Sequence, residues 1–181
     1  GAAGAAVSVN GAVTALLKYA LESKMVDAVV AVKKGYDIYD AVPVAITDPK
    51  ELDRTAGSLH CGTLLLSTFI KNYLDGAKKK KIGVVVKGCD LMGLLEEAKR
   101  NDVNLKNILT IGVNCGGSVN PIVARKMIRA KYGVDPDKVH KEEIDKGQFI
   151  IEYEGGHKGI SVDELEEEGF GRRSNCRRCK Y

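Results

Sequence analysis

Lys81 to Gly117 reads KIGVVVKGCDLMGLLEEAKRNDVNLKNILTIGVNCGG. Lys81 to Val86 and Ile108 to Val113 are short, β-branched runs that predict buried strands. Each runs into a polar, glycine-bearing loop and then a helix. The first loop is Lys87-Gly88-Cys89-Asp90, with a helix over Leu91 to Arg100. The second is Asn114-Cys115-Gly116-Gly117, with a helix that Asn120 caps and Pro121 opens. Strand, loop and helix repeated in this order is the pattern of parallel strands joined by crossover helices, so the fold class is α/β. No G-x-G-x-x-G follows a strand, and a standard Rossmann nucleotide site is not expected.

Working upstream, Asn10 is placed to cap a helix whose apolar positions Val13, Leu16, Leu17, Ala20 and Leu21 recur at helical spacing. Val26 to Val32 reads as a strand, and Ile38 to Ile46 as a second extended run that Pro43 confines to a sheet edge or interrupts. Asp48-Pro49 opens a helix over Lys50 to Arg54, and Leu64 to Leu74 forms another that Gly76 closes. Lys78 to Lys81 reads as a solvated turn. Downstream, Gln148 to Tyr153 and His157 to Ile160 flank Gly155-Gly156 in a small β-rich insertion. Ser161 caps a short acidic helix, Val162 to Glu168, whose glutamates are expected in solvent. The expected organisation is a poorly defined segment over 1–10, a mixed, partly parallel sheet flanked by helices over 11–168, and a loop over 169–181. The chain begins without Met and stops two residues after a cysteine pair, and we read it as a piece of a longer protein.

With 181 residues, 44% of them apolar, the chain can bury a substantial core. No apolar run approaches the ~18 residues of a membrane span, and the Ala/Gly-rich start lacks the basic region of a signal peptide. A net charge of +4, three Phe and no Trp argue against a nucleic-acid surface. The five cysteines are an odd number set beside glycines and charged residues. That favours metal or redox chemistry in the cytoplasm over a disulfide framework.

Cys176-Arg-Arg-Cys179 places two thiols within reach of one metal or cluster, and its basic neighbours favour thiolates. A redox dithiol or an incidental pair is the alternative. Cys115 is the natural third ligand, since Gly116-Gly117 lets backbone amides approach closely; otherwise it is a small residue packed at a strand end. A fourth ligand is Cys89, Cys61 or a residue beyond Tyr181. The loop Lys87-Gly88-Cys89-Asp90 suits an anion such as a phosphate, or is a capped loop with Asp90 as N-cap and Cys89 packed inside. Asn10, Gly11 and Thr14 at one helix start, and Gly57, Ser58, Leu59 and His60 in a flexible loop, are cofactor-lining candidates against the alternative of an ordinary cap and loop. His60, His140 and His157 share no metal-ligand spacing, and His140 is expected in a charged helical stretch. No hydrolase elbow and no carboxylate pair for acid–base work is found.

Seven motifs occur in order: GAVTALLKYALE (Gly11 to Glu22), VDAVVAV (Val26 to Val32), PVAITDPKEL (Pro43 to Leu52), TAGSLHC (Thr55 to Cys61), VVVKGCD (Val84 to Asp90), IGVNCGG (Ile111 to Gly117) and GRRSNCRRC (Gly171 to Cys179). Together they resemble the coenzyme F420 hydrogenase/dehydrogenase beta subunits, nearest in AGSLHC, NCGG and GRRSNCRRC to the formate dehydrogenase type of methanogens. The resemblance implies a cytoplasmic flavoprotein with FAD and at least one 4Fe-4S cluster. Such a subunit exchanges a hydride with coenzyme F420 as substrate and relays single electrons to a catalytic alpha subunit. A heterodisulfide reductase-type bifurcating complex is a further implied partner. Carried over by motif, Cys115, Cys176 and Cys179 are cluster ligands, and the Gly11–Thr14, Gly57–His60 and Lys87–Asp90 segments line the cofactor. Related readings are the subunit of an F420-linked hydrogenase, quinone-type dehydrogenase or sulfite reductase, and a zinc-stabilised interaction subunit. This chain departs from the family's pattern at Asn10-Gly11, where two glycines are usual, and at Leu91-Met92-Gly93, where the formate type carries a polar or basic residue.

Overall fold

In the computed structural model, residues 11–55, 57, 59–62 and 64–180 are described. The expected Asn10 cap and the candidate Ser58 lie outside them. Ile82–Val86 forms a strand, β3, at the centre of a four-stranded sheet ordered β2-β1-β3-β4. β1 (Ala28–Lys34) and β4 (Ile108–Gly112) run parallel to β3 on either side, and β2 (Ala41–Ile46) pairs antiparallel with β1. The sheet is therefore mixed and mostly parallel, as the strand–loop–helix repeat implies. Pro43 sits on edge strand β2 opposite Val32, where a missing N–H does not interrupt a central ladder.

The alternation of β1 and β3 decides what covers each face. Ala28, Val30, Ile82 and Val84 pack on one side with Leu66 and Ile70 of α2 (Leu66–Tyr73) and Leu94 of α3 (Gly88–Lys99). Val29 and Ala31 pack on the other with Leu17, Ala20 and Leu21 of α1 (Ala12–Glu22) and with Leu52 of the 3-10 turn Pro49–Thr55. Successive side chains on a strand point to opposite faces, so one run of valines and alanines serves two layers. Each fully buried aliphatic side chain here contributes roughly 1.5–3 kcal/mol. At Gly93 an added Cβ would lie 2.5 Å from the Ser67 Oγ, so α3 crosses α2 at the distance a glycine allows.

A second core is built by α4 (Pro121–Met127), the single turn Ile128–Tyr132, and an antiparallel sheet of β5 (Val139–Asp145), β6 (Gln148–Tyr153) and β7 (Gly156–Ser161), closed by α5 (Val162–Glu167). Ile38, Tyr39 and Cys61, from the first part of the chain, are buried in it. The Tyr39 hydroxyl donates to the Pro136 carbonyl at 2.9 Å, and Arg125 lies over the Tyr39 ring while pairing with Asp37 and Asp137.

Several expectations are corrected. α3 begins at Gly88, not Leu91, because Asp90 at its third position accepts from the Lys87 amide and closes the first turn. β4 is only partly buried, being the sheet's edge. Residues 49–55 are a 3-10 turn, not an α-helix. His140 lies in β5 instead of a helix. The 169–181 loop contains a short helix, α6 (Ser174–Arg177).

Candidate functional site

Strands β1, β3 and β4 are parallel, so their carboxyl ends share one edge of the sheet, the edge where ligands bind in open α/β sheets. Lys34 ends β1, Lys87–Asp90 follows β3, and Cys115 follows β4. Val86 pairs with Gly112, so Cys89 and Cys115 each lie three residues past a matched pair. Both thiols are exposed, and they are close enough for the charge of one to raise the other. For Cys89, partial burial is the larger cause, followed by the charge of Asp90, against the opposing pull of Lys87.

Asp90 holds this edge together. Its carboxylate is wholly buried, accepts from the Leu66 and Lys87 amides at 3.2 Å each, and pairs with the Lys87 ammonium at 2.6 Å. The capped-loop alternative is thus realised in part: Asp90 caps from the third helical position, with Lys87 at the N-cap, and Cys89 is exposed instead of packed inside. Lys87 is turned onto Asp90, so its charge is already matched within the loop.

Cys61 is different. It is fully buried, burial pushes its thiol well up, and Glu142 pushes it further. Glu142 is a group that motif reading passed over. In a regular strand Val139, Lys141 and Glu143 would share a face. β5 instead has an irregularity between Val139 and Lys141, so Val139 and Glu142 both turn inward. Glu142 then accepts from the His60 amide at 2.5 Å and the Cys61 amide at 3.1 Å. Its second oxygen faces the His60 Nδ1 at 3.3 Å, off the line a hydrogen bond needs. A cleft of about 250 Å³ opens beside it, lined by Gly57, Leu59, Lys34 and Arg54 among others. Gly57 and Leu59 therefore reach a cavity, whereas Gly11 is open to solvent, Thr14 is buried in α1, and neither lines it.

Backbone bonds join this loop to both cysteine segments. The Val119 amide donates to the His60 carbonyl at 2.9 Å, and the Ser118 hydroxyl to the Gly62 carbonyl at 2.9 Å. The Arg173 amide in turn donates to the Ser118 carbonyl at 2.8 Å, and Val119 bridges Arg172. The loops carrying His60 and Cys115 and the tail carrying Cys176 and Cys179 are thus one continuous surface. Gly116 and Gly117 make the close approach possible. Added Cβ atoms would come within 2.6 Å of Ile144 Cγ2 and 2.4 Å of Arg172 Cδ, and Gly117 has φ +122°. The glycine pair thus serves packing against β5 and the tail.

The tail is anchored by Glu166, on the helix face expected to be in solvent. Its carboxylate is largely buried and accepts from the Arg172 Nε at 2.7 Å and the Arg172 amide at 3.3 Å, with Arg177 at 3.6 Å. Burial pushes the Glu166 carboxyl up, but the Arg172 hydrogen bond and the two guanidinium charges outweigh it and hold it below the usual range. Cys176 is half-buried on α6 and Cys179 exposed just after it. The donors are soft thiols on adjoining segments, which suits an iron–sulfur centre in kind. Among the described residues, however, no three His, Cys, Asp or Glu side chains are gathered closely enough to hold a metal ion. No helix among them is long and apolar enough to cross a membrane.

Two family models, for the N-terminal and the C-terminal parts of the coenzyme F420 hydrogenase/dehydrogenase beta subunit, match residues 5–71 and 79–181 respectively. The chain is 54% identical over 172 residues to the F420-dependent formate dehydrogenase subunit beta of Methanocaldococcus jannaschii, covering 94% of this chain and 45% of that one. It is 52% identical to the F420-dependent formate dehydrogenase 1 subunit beta of Methanococcus maripaludis, covering 94% and 43%. It spans somewhat under half the length of these two relatives. Among solved structures, a chain of the xenon-derivatised F420-reducing [NiFe] hydrogenase complex from Methanosarcina barkeri superposes with a TM-score of 0.72 at 20% identity, over 93% of this chain and 58% of that one, and so shares the fold. The two family models together cover both sheets and every cysteine-bearing segment, and the chain belongs to the coenzyme F420 hydrogenase/dehydrogenase beta subunit family.

Proposed function

We propose that this chain is the cofactor-bearing part of the beta subunit of an F420-dependent formate dehydrogenase. It would exchange electrons between coenzyme F420 and a catalytic alpha subunit in the cytoplasm, with a heterodisulfide reductase-type complex as a further partner. The identity to two formate dehydrogenase beta subunits supports the choice within the family. The observation that carries the reading is the backbone continuity from the His60 loop through Ser118-Val119 to Arg172-Arg173. It sets a cavity-lining loop and the cysteine segments side by side, as two-electron and one-electron carriers in series require.

Bound FAD supplies hydride exchange with the deazaflavin, and a 4Fe-4S cluster supplies one-electron transfer. The chain's own residues do the rest. Gly57 and Leu59 line the cavity and Glu142 fixes the amides behind them. Asp90 and Lys87 hold the β3 loop rigid. Cys115, Cys176 and Cys179 are the proposed cluster ligands, on segments that Gly117 and Arg172 pack together. Cys89 is the fourth thiol of choice, since it is exposed and follows β3 as Cys115 follows the neighbouring β4, whereas Cys61 is sealed behind Glu142.

The test is an anaerobic absorption spectrum with flavin and iron analysis of the protein, alone and as Cys176→Ala/Cys179→Ala. A flavin band with an iron–sulfur shoulder that disappears in the double variant is expected. Iron content unchanged by the double substitution refutes the ligand assignment, and a colourless protein that binds zinc refutes the electron-transfer reading.

A further inference from the structure

The cleft beside Glu142 has a charge imbalance that the cluster and hydride chemistry leave unused. Four basic side chains line it, Lys34, Arg54, His140 and Lys141, against one acid, Glu142. That acid is buried and already accepts two amides. Lys141 is neutralised by Glu152 at 2.6 Å, and His140 also lies within reach of the Glu152 charge. Lys34 and Arg54 have no acidic partner among the described residues, and the other lining positions carry no Asp or Glu. Two unmatched cations lining a concave site focus a positive field into it.

We infer that this cleft is an anion seat, in which Lys34 and Arg54 hold the phosphate or carboxylate groups of a coenzyme whose remainder lies outside it. Its volume of about 250 Å³ falls at or below the roughly 300 Å³ lower bound of pockets that enclose a whole small molecule, so it admits one charged portion of a larger ligand. Arg54, with its planar fork, suits a phosphate or carboxylate bidentately, and Lys34 adds a movable point charge. Leu59 supplies an apolar wall for the carbon skeleton beside the charge. The seat lies at the carboxyl end of β1, on the edge that carries Cys89 and Cys115. The inference rests on the proposed function for the identity of the coenzyme, because two ligands carry the required chemistry. FAD has a pyrophosphate, and coenzyme F420 has a phosphodiester followed by carboxylates.

The test compares the protein with Lys34→Ala/Arg54→Ala. Both side chains are exposed, so the fold should be retained, as circular dichroism will check. Three probes are titrated: FAD by fluorescence quenching, coenzyme F420 by its own fluorescence, and inorganic pyrophosphate by calorimetry. Affinity for at least one should fall by about tenfold or more, as expected for loss of charge-assisted hydrogen bonds. The difference should narrow as salt rises from about 0.05 M to about 0.5 M. A loss confined to FAD and pyrophosphate assigns the seat to the dinucleotide, and a loss confined to F420 assigns it to the deazaflavin's tail. Unchanged affinities for all probes overturn the inference and leave the proposed function standing. If the native protein binds neither coenzyme but binds pyrophosphate through Lys34 and Arg54, the proposed function falls and the seat stands. Binding of none of the three overturns both.

Discussion

Replacing Glu166 by Ala should release the cysteine-bearing tail while leaving both cores folded. The carboxylate accepts the Arg172 Nε at 2.7 Å and the Arg172 amide at 3.3 Å, and it lies 3.6 Å from the Arg177 Nε. Side-chain exposure is 15% for Glu166 and 26% for Arg172, so solvent screens the pair only in part. A hydrogen bond to a charged group contributes about 1.5–3 kcal/mol. Keeping to about 2–3 kcal/mol after allowing for exposure, the docked-to-undocked ratio of the tail should fall roughly 30- to 150-fold, at 1.36 kcal/mol per decade. Ties that do not involve Glu166 include the Arg173 amide to the Ser118 carbonyl, the Val119–Arg172 bridge and Arg177 Nη2 to the Phe170 carbonyl. Hydrogen exchange at the Arg173, Cys176 and Arg177 amides should accelerate by that factor, with no change at β3. Acid should reproduce the effect. The Glu166 carboxyl is depressed in the folded state, so its contribution is complete above the unfolded value of about 4.3 and is lost as pH falls through the folded value. Glu166→Gln should remove that part of the pH dependence. Tail exchange that stays within about threefold of the native rate in Glu166→Ala, where roughly 30-fold or more is expected, would show that Glu166 does not anchor the tail.

Asp90→Ala strips three partners from a wholly buried carboxylate. It should lower unfolding free energy in urea by about 3–5 kcal/mol, and a loss under about 1 kcal/mol would contradict its role as the clamp between α2 and the β3 loop. Gly117→Ala forces a side chain into φ +122° and against Arg172. About 1–3 kcal/mol of strain should appear as a lower melting temperature together with lower iron incorporation, and an unchanged iron content would separate the glycine from the cluster. In metal-free, reduced protein, the raised thiols of Cys61 and Cys89 set different reactivities. Cys61 should resist alkylation until the protein unfolds. Cys89 should react with a rate still climbing above about pH 9, the upper end of the ordinary thiol range; a rate already level at neutral pH would contradict the crowding described for it.

How far the site was legible depended on the range of the interactions behind it. Cys115, Cys176 and Cys179 stood out because a thiol beside glycines or in a C-x-x-C pair is a local signal. Gly57 and Leu59 were found through their motif, and both line the cleft. Lys34, Arg54 and Glu142 were not found. Lys34 ends a strand, Arg54 sits one residue before the end of a 3-10 turn, and Glu142 stands in the charged run HKEEID, which reads as helical; in the strand it forms, plain period-two alternation from Val139 would not turn Glu142 inward. One extra residue in β5 reverses that phase, and nothing in the run announces it. Glu166 was misplaced in solvent for a related reason: its partners Arg172 and Arg177 come from a tail whose path the helix pattern does not contain.

Sequence alone determined the α/β class and the parallel pairing about β3, and it narrowed β2 to an edge strand or an interrupted one. Hydrophobic periodicity, strand-loop-helix order and a proline without an N–H act over a few residues, and the chain carries them openly. Tertiary structure decided which loops meet. The His60 loop, the Cys115 loop and the tail are joined by hydrogen bonds between residues far apart in the chain. The choice of a buried Glu142 as their backstop follows from a bulge. Both are fixed by the closure of long loops and the mutual burial of two sheets, which depend on the whole chain at once.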